Sequence, residues 1–294
     1  MKQVLIGILF SALWASASVA TKFGVESAPP LVLANVRFFI AGFVLLSYSY
    51  LFKQGDNYRL PDRKEWKELS LFGLLNTSLY LGLYVYAMKN TAAGIGSLAV
   101  STNPLIIVIL SAFLLKRKPS AIEIFSIILG MGGIAVAAWP LLLNSYGTLG
   151  GLLLLLLSMV AVSLASVYYA AVNWQLPNLL INGWQVLLGG VFLLPFTLLL
   201  SDFHEVSWNV SFTASVLWLS LAVSVVGLIC WFHLLRIDTV KASLWLFLCP
   251  LFGFFYAWWL MNEPITLYTI AGTAMVIVAL YAGQRKRFAG KKTV

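Results

Sequence analysis

Charge is what this chain has least of. Asp, Glu, Lys and Arg together make up 10% of its 294 residues, against about a quarter in an ordinary soluble domain. With 61% hydrophobic residues and a mean hydropathy of +0.92, that deficit excludes a water-soluble globular fold. Cysteine and histidine are scarce as well, at two each. Cys230 and Cys249 lie in apolar runs, so no disulfide framework is implied, and four scattered Cys and His residues do not make a metal site. Acid is scarcest inside the apolar runs. All ten Asp and Glu residues fall in expected loops or at helix ends: Glu26, Asp56, Asp62, Glu65, Glu68, Glu123, Asp202, Glu205, Asp238 and Glu263. A pump that carries protons on a carboxylate within the bundle is therefore not expected.

What is abundant is long apolar sequence. Ten runs approach the roughly 20 residues that a bilayer-spanning helix needs. They are Val4–Ala20, Leu31–Phe52, Leu69–Met88, Ala93–Leu115, Ile122–Trp139, Leu149–Ala171, Leu180–Leu200, Thr213–Leu234, Ala242–Leu260 and Thr266–Gly283. They lack the alternation of barrel strands. The first run, with Lys2 before it and small residues at Ala15–Ala20, has the look of a cleavable signal peptide. We expect it to be retained, because the repeat described next gives it a partner in mid-chain.

The chain reads as the same unit written twice. Arg37–Leu46 (RFFIAGFVLL) matches Gln185–Leu194 (QVLLGGVFLL) 148 positions later, and Ser97–Pro104 (SLAVSTNP) matches Ser243–Pro250 (SLWLFLCP) at an offset of 146. The paired Gly42/Gly190, Ser97/Ser243 and Pro104/Pro250 carry this match, since aligned Leu residues recur by chance. Five helices per unit is an odd number, so the second unit enters the membrane inverted. The loops agree: the segment around Arg59–Glu68 carries five basic residues counting Lys53, while its counterpart Ser201–Ser207 carries Asp202 and Glu205 and no base. With the N-terminus inside, sixteen of nineteen Lys and Arg face the cytoplasm. The net charge of +9 thus reports orientation and predicts no nucleic-acid partner. The expected fold is an all-α membrane protein of ten transmembrane helices in two inverted five-helix repeats, residues 1–143 and 148–294. Internal repeats of this kind are a recurring construction of secondary transporters.

Several motifs resemble the drug/metabolite transporter superfamily, specifically its ten-helix EamA-type members. They are Ala12-Leu13-Trp14-Ala15-Ser16 followed by Lys22, then Pro30, Arg37-Phe38, Tyr86-Ala87-Met88-Lys89-Asn90-Thr91-Ala92-Ala93 and Pro104. In the second half they continue with Phe232-His233-Leu234-Leu235-Arg236, Ala242-Ser243-Leu244, Pro250 and Asn262-Glu263-Pro264. Ala15 stands where Gly is usual, and Lys118 departs from the usual acidic residue after helix four. The resemblance implies a bacterial inner-membrane transporter with both termini cytoplasmic, moving small metabolites, often amino acids or related compounds outward. Drugs, nucleosides or sugars are the alternative substrates. No cofactor is expected, the bilayer is the surrounding partner, and a homodimer stays open.

Arg37 is the foremost candidate site residue. Seven residues inside a helix that starts near Pro30, it lies about 10 Å deep, where an Arg costs on the order of 3 kcal/mol unless it faces a cavity or partner. Its planar fork suits a carboxylate or phosphate, and snorkelling to the headgroups is the competing reading. Asn76, Tyr80 and Tyr84 recur at i, i+4 and i+8 and so share one helical face. Trp14, Ser101, Asn103, Ser163, Ser224 and Trp245 fall at corresponding depth and join them as candidates for the substrate path, against the plain alternative of helix glue and packing. Pro104 and Pro250 fall near the middle of helices four and nine, where each frees a carbonyl and kinks the helix. Ser97 with His233 is a poor hydrolase dyad: Gly94-Ile95-Gly96-Ser97-Leu98 is no nucleophile elbow, and the two residues fall toward opposite faces. No enzymatic activity is expected.

Overall fold

The structure is a computed structural model and describes residues 2–53, 55, 57–89, 99–142, 148–261 and 266–289. Among the described residues the chain is helical throughout its ordered elements. Helix α1 spans Lys2–Val25 and α2 spans Pro30–Phe52, the latter opened by Pro29-Pro30, whose fixed φ and absent N–H suit a first turn. Helix α3 runs continuously through Arg63–Gly73, a π-helical stretch Leu74–Leu79, and Tyr80–Lys89. Then follow α4 (Asn103–Leu114), α5 (Ala121–Leu142), α6 (Leu149–Ala171) and α7 (Asn178–Leu200). Helix α8 joins Val210–Leu217, a π-helical stretch Trp218–Gly227 and Leu228–Ile237. Helix α9 joins Thr239–Leu244, a 3-10 turn Trp245–Phe247 and Leu248–Met261, and α10 is Leu267–Ala289.

Seven of these helices are long and apolar enough to cross a membrane, among them Pro30–Phe52 and Leu149–Ala171. At 23 residues, each of those two is about 35 Å long. The other three apolar segments are shorter where described: Asn103–Leu114, Ala121–Gly133 and Ile270–Gly283. The expected run Ala93–Leu115 shows why. Residues 90–98 lie outside the described part, Ser101 and Thr102 form a turn, and the helix restarts at Asn103 with Pro104 in its first turn. Proline, lacking an N–H, is tolerated there because the first N–H groups of a helix have no internal partner. Pro104 therefore begins a helix rather than bending the middle of one. Pro250, by contrast, stands near the middle of α9, as expected, shortly after the 3-10 turn Trp245–Phe247.

Helix packing is reciprocal. α1 lies against α8 and α9, and α6 lies against α3 and α4. α2 packs along α7, α4 meets α9, and α5 pairs with α10 at the edge of the bundle. The matched sequences of α2 and α7 meet at their small residues. A Cβ added to Gly42 would sit 3.0 Å from Cβ of Leu187, and one added to Gly190 would sit 3.3 Å from Cβ of Phe38 and 3.4 Å from the ring of Phe39. α3 and α7 come closer still. A Cβ on Gly73 would lie 2.6 Å from the carbonyl oxygen of Gln185, and one on Gly189 would lie 2.4 Å from Cβ of Thr77. With no hydrophobic drive between helices in lipid, such small-residue contacts supply the packing. Large apolar side chains such as Leu199 and Phe113 point outward, 82% and 79% exposed, as a chain solvated by lipid tails requires.

One end of the bundle is tied by charge. Arg59 donates to Glu65 at 2.7 Å, and Asp62 caps the Arg63–Gly73 helix in a reciprocal box with Glu65. Two backbone N–H groups, of Glu65 and Lys64, hold the Asp62 carboxyl below its ordinary pKa. Arg117 bridges Glu123 (2.8 Å) and Asp238 (3.0 Å), joining the α4–α5 loop to the α8–α9 corner.

Candidate functional site

Arg37 is 3% exposed, so it does not snorkel. Its Nη2 donates to Oγ of Ser224 on α8 at 3.0 Å, its Nε has no partner, and the guanidinium lies 5.4 Å from the ring centre of Phe38. None of the ion pairs among the described residues reaches it. A lone buried cation of this kind is costly and marks a site where an anion would relieve it.

The guanidinium borders a small enclosed cavity with Trp14 and Thr21 of α1, Tyr80 and Tyr84 of α3, and Val223 of α8. Trp14 and Tyr80 hold near-parallel rings, 8° apart in tilt with centroids 6.3 Å apart, and Tyr84 follows Tyr80 at 6.1 Å. The Thr21 hydroxyl finds no partner. The cavity measures about 20 Å³, room for about one water. The path is closed in this conformation.

Asn76 does not share the cavity face with Tyr80 and Tyr84. Asn76 sits within the π-helical stretch Leu74–Leu79 and is not among the residues that line the cavity. Its Nδ2 donates to Oε1 of Gln185 on α7 at 3.3 Å, and Thr77 donates to the same oxygen at 2.6 Å. Gln185 Nε2 donates to Asn182 Oδ1 at 3.1 Å, and Asn182 Nδ2 donates to the Ser224 carbonyl at 2.8 Å. A continuous buried polar chain thus runs from Arg37 through Ser224, Asn182 and Gln185 to Asn76. Gln185 is the main functional candidate missed from the sequence. The signal was there, because the 148-residue offset sets Gln185 opposite Arg37 and Ser224 opposite Asn76. The Arg37–Ser224 and Asn76–Gln185 pairs thus fall at corresponding positions at that offset.

The remaining candidates scatter. Ser163 donates to Asn103 Oδ1 at 3.2 Å, gluing α6 to α4, and neither borders the cavity. Ser101 is buried beside cavity-lining Val100. Trp245 packs on Gly7, where an added Cβ would come within 2.3 Å of the indole, and its carbonyl accepts from Ser11 at 2.8 Å. His233 is exposed, and Ser97 lies outside the described residues. An aromatic cluster also unread in the sequence closes the bundle toward its charged end. Phe72, Tyr169, Trp174 and Phe232 stack with centroids 4.7–5.8 Å apart, and Arg236 Nε donates to the Tyr169 hydroxyl at 3.0 Å.

An apolar bundle of membrane-length helices, with a buried Arg beside a small internal cavity, defines a multi-pass membrane protein. Comparison with known sequences gives the class its family: a sequence model of the EamA-like transporter family matches residues 1–139 and again 149–282. The chain belongs to that family and is a membrane transporter. It is 25% identical over 284 residues to "Uncharacterized transporter YoaV" of Bacillus subtilis (strain 168), covering 96% of each chain. To "Uncharacterized inner membrane transporter YedA" of Escherichia coli (strain K12) it is 28% identical, over 79% of this chain and 74% of that one. A solved crystal structure with 18% identity superposes with a TM-score of 0.79 over 99% of both chains, which shows a shared fold.

Proposed function

We propose that the protein carries small metabolites bearing an anionic group across a bacterial inner membrane by alternating access. Amino acids and related compounds are the first class to test. Ten spans in two inverted halves, 1–143 and 148–294, rock about the α2–α7 contact, with both termini cytoplasmic. The reciprocal helix packing and the corresponding positions of the Arg37–Ser224 and Asn76–Gln185 pairs support the repeat. The charged end, with Arg59, Arg63 and Arg117, is the cytoplasmic one. The observation that carries the reading is Arg37: a buried cation with no counter-ion among the described residues, on the wall of a cavity otherwise lined by aromatic and apolar side chains and Thr21. In this closed form Ser224 holds the guanidinium, and on opening the substrate's anionic group takes its place.

Counterflow of a labelled metabolite panel into liposomes holding purified protein tests this, wild type against Arg37→Gln. Uptake of an anionic class, lost in a variant that stays folded, is the expected outcome. Uptake indifferent to Arg37 refutes its role, and no uptake of any compound refutes transport by the isolated chain.

A further inference from the structure

The walls of the Arg37 cavity also specify the charge of the occupant, an inference that rests on the reading above. We propose that the site selects a monoanion without an ammonium group: a carboxylate on an apolar, ring-bearing body, in preference to the matching α-amino acid or amine.

Charge bookkeeping supports it. The cavity presents one cation, with an unpartnered Nε and one neutral hydroxyl partner. Among the described residues the two buried carboxylates are Glu65 and Glu123, engaged by Arg59 and Arg117 at the charged end of the bundle. Residues 90–98, the stretch of sequence between α3 and α4, contain neither Asp nor Glu. One negative charge on the occupant neutralises Arg37; a neutral occupant leaves the cation unrelieved, and a dianion brings an excess charge with no partner.

Geometry then separates a carboxylate from an amino acid. An α-ammonium is fixed one carbon away from the carboxylate, so it arrives beside the guanidinium that holds that carboxylate. There the like charges repel, and no acid is at hand to accept the ammonium protons. The rings of Trp14, Tyr80 and Tyr84 offer it a cation–π contact and the tyrosine hydroxyls a neutral acceptor, each weaker than a carboxylate partner. The same rings favour an apolar body, and the unpartnered Thr21 hydroxyl is a donor for the carboxylate's second oxygen. Because the empty cavity holds about 20 Å³, the body enters only as the bundle opens, and selection acts at the wall rather than by fit to the closed space.

Equilibrium exchange in proteoliposomes tests the proposal with four probes of one shape: 3-phenylpropanoate, L-phenylalanine, 3-phenylpropanamide and 3-phenylpropylamine. The carboxylate should exchange at least about tenfold better than each of the others, as expected when a buried polar group goes unpaired. Arg37→Gln should erase the preference of carboxylate over amide, and Arg37→Lys, which keeps the charge, should retain much of it. A structural role alone would lower all four probes together. Phenylalanine matching or exceeding phenylpropanoate overturns the monoanion assignment while leaving transport intact. A preference that survives Arg37→Gln overturns it as well. Exchange of none of the four also overturns it, and the wider metabolite panel run on the same vesicles separates that failure from failure of transport itself.

Discussion

The close approach of α3 to α7 makes a quantitative prediction. Gly189 on α7 faces Thr77 and Gly73 on α3. In Gly189→Ala the new methyl would sit 2.4 Å from Cβ and 2.5 Å from Cγ2 of Thr77, and 2.8 Å from the Gly73 carbonyl oxygen. None of these is the free end of a flexible side chain, so the helices must separate. Overpacking of a tight contact costs about 1–3 kcal/mol. Moving Thr77 also strains its 2.6 Å bond to Gln185, worth about 0.5–1.5 kcal/mol. Together these give a loss of about 2–4 kcal/mol, or about 5–10 °C in the apparent melting temperature of a chain this size. The control is the same substitution at Gly150, where an added Cβ meets nothing within 4 Å; there Ala should be neutral or slightly stabilising, since it is the better helix former. Tryptophan fluorescence on heating in detergent, at one scan rate because such unfolding is commonly irreversible, reads both. If Gly189→Ala melts within about one degree of Gly150→Ala, the α3–α7 contact is not as close as described and the reasoning fails.

Gln185→Leu should destabilise by a few kcal/mol, about 1–3 for each buried group left without a partner, because Asn76, Thr77 and Asn182 all bond to Gln185; thermal unfolding beside Gln185→Glu measures it. Cys249, 1% exposed and following directly on the α9 turn, should resist a membrane-permeant maleimide in this closed conformation, whereas the half-buried Cys230 should label; equal rates refute the burial. The Asp62 carboxyl titrates below its ordinary value, so its capping of α3 is intact above about pH 4 and is lost as pH falls through the lowered pKa. Amide exchange at Lys64 and Glu65, corrected for intrinsic rates, should stay constant above about pH 4 and quicken only as pH falls below it. With no carboxylate among the described residues reaching Arg37, counterflow should proceed without net proton movement; substrate-dependent proton flux that survives mutation of His233 would falsify this.

Which parts of this architecture could be read from sequence follows from what sets them. Helix positions were legible because the bilayer imposes length and apolarity on each run separately, as in Leu31–Phe52 against the observed Pro30–Phe52. Arg37 was legible because an intramembrane charge has few cheap places to go. Tyr80 and Tyr84 line the cavity together, whereas Asn76 bonds to Gln185 on α7, a partner 109 residues away that helical spacing does not reveal. Pro250 does stand mid-helix, whereas Pro104 was misplaced because proline reads the same whether it bends a helix or opens one, and the difference lies in a turn set by tertiary packing. Ser163 and Asn103 satisfy one another across sixty residues, a pairing that no local pattern reveals.

The two π-helical stretches, Leu74–Leu79 in α3 and Trp218–Gly227 in α8, stand at matching places in the repeat, each beside one end of the polar chain from Arg37 to Asn76. Such a turn can migrate along its helix like a ruck in a carpet, and every residue it passes is swung by about 100° about the axis. A shift past Tyr80 would carry that ring from the cavity wall toward a neighbouring helix, with the helix ends standing still. The bundle thus holds, on opposite sides of its centre, two places where a wall can be re-aimed by torsion, without tilting a helix through the bilayer.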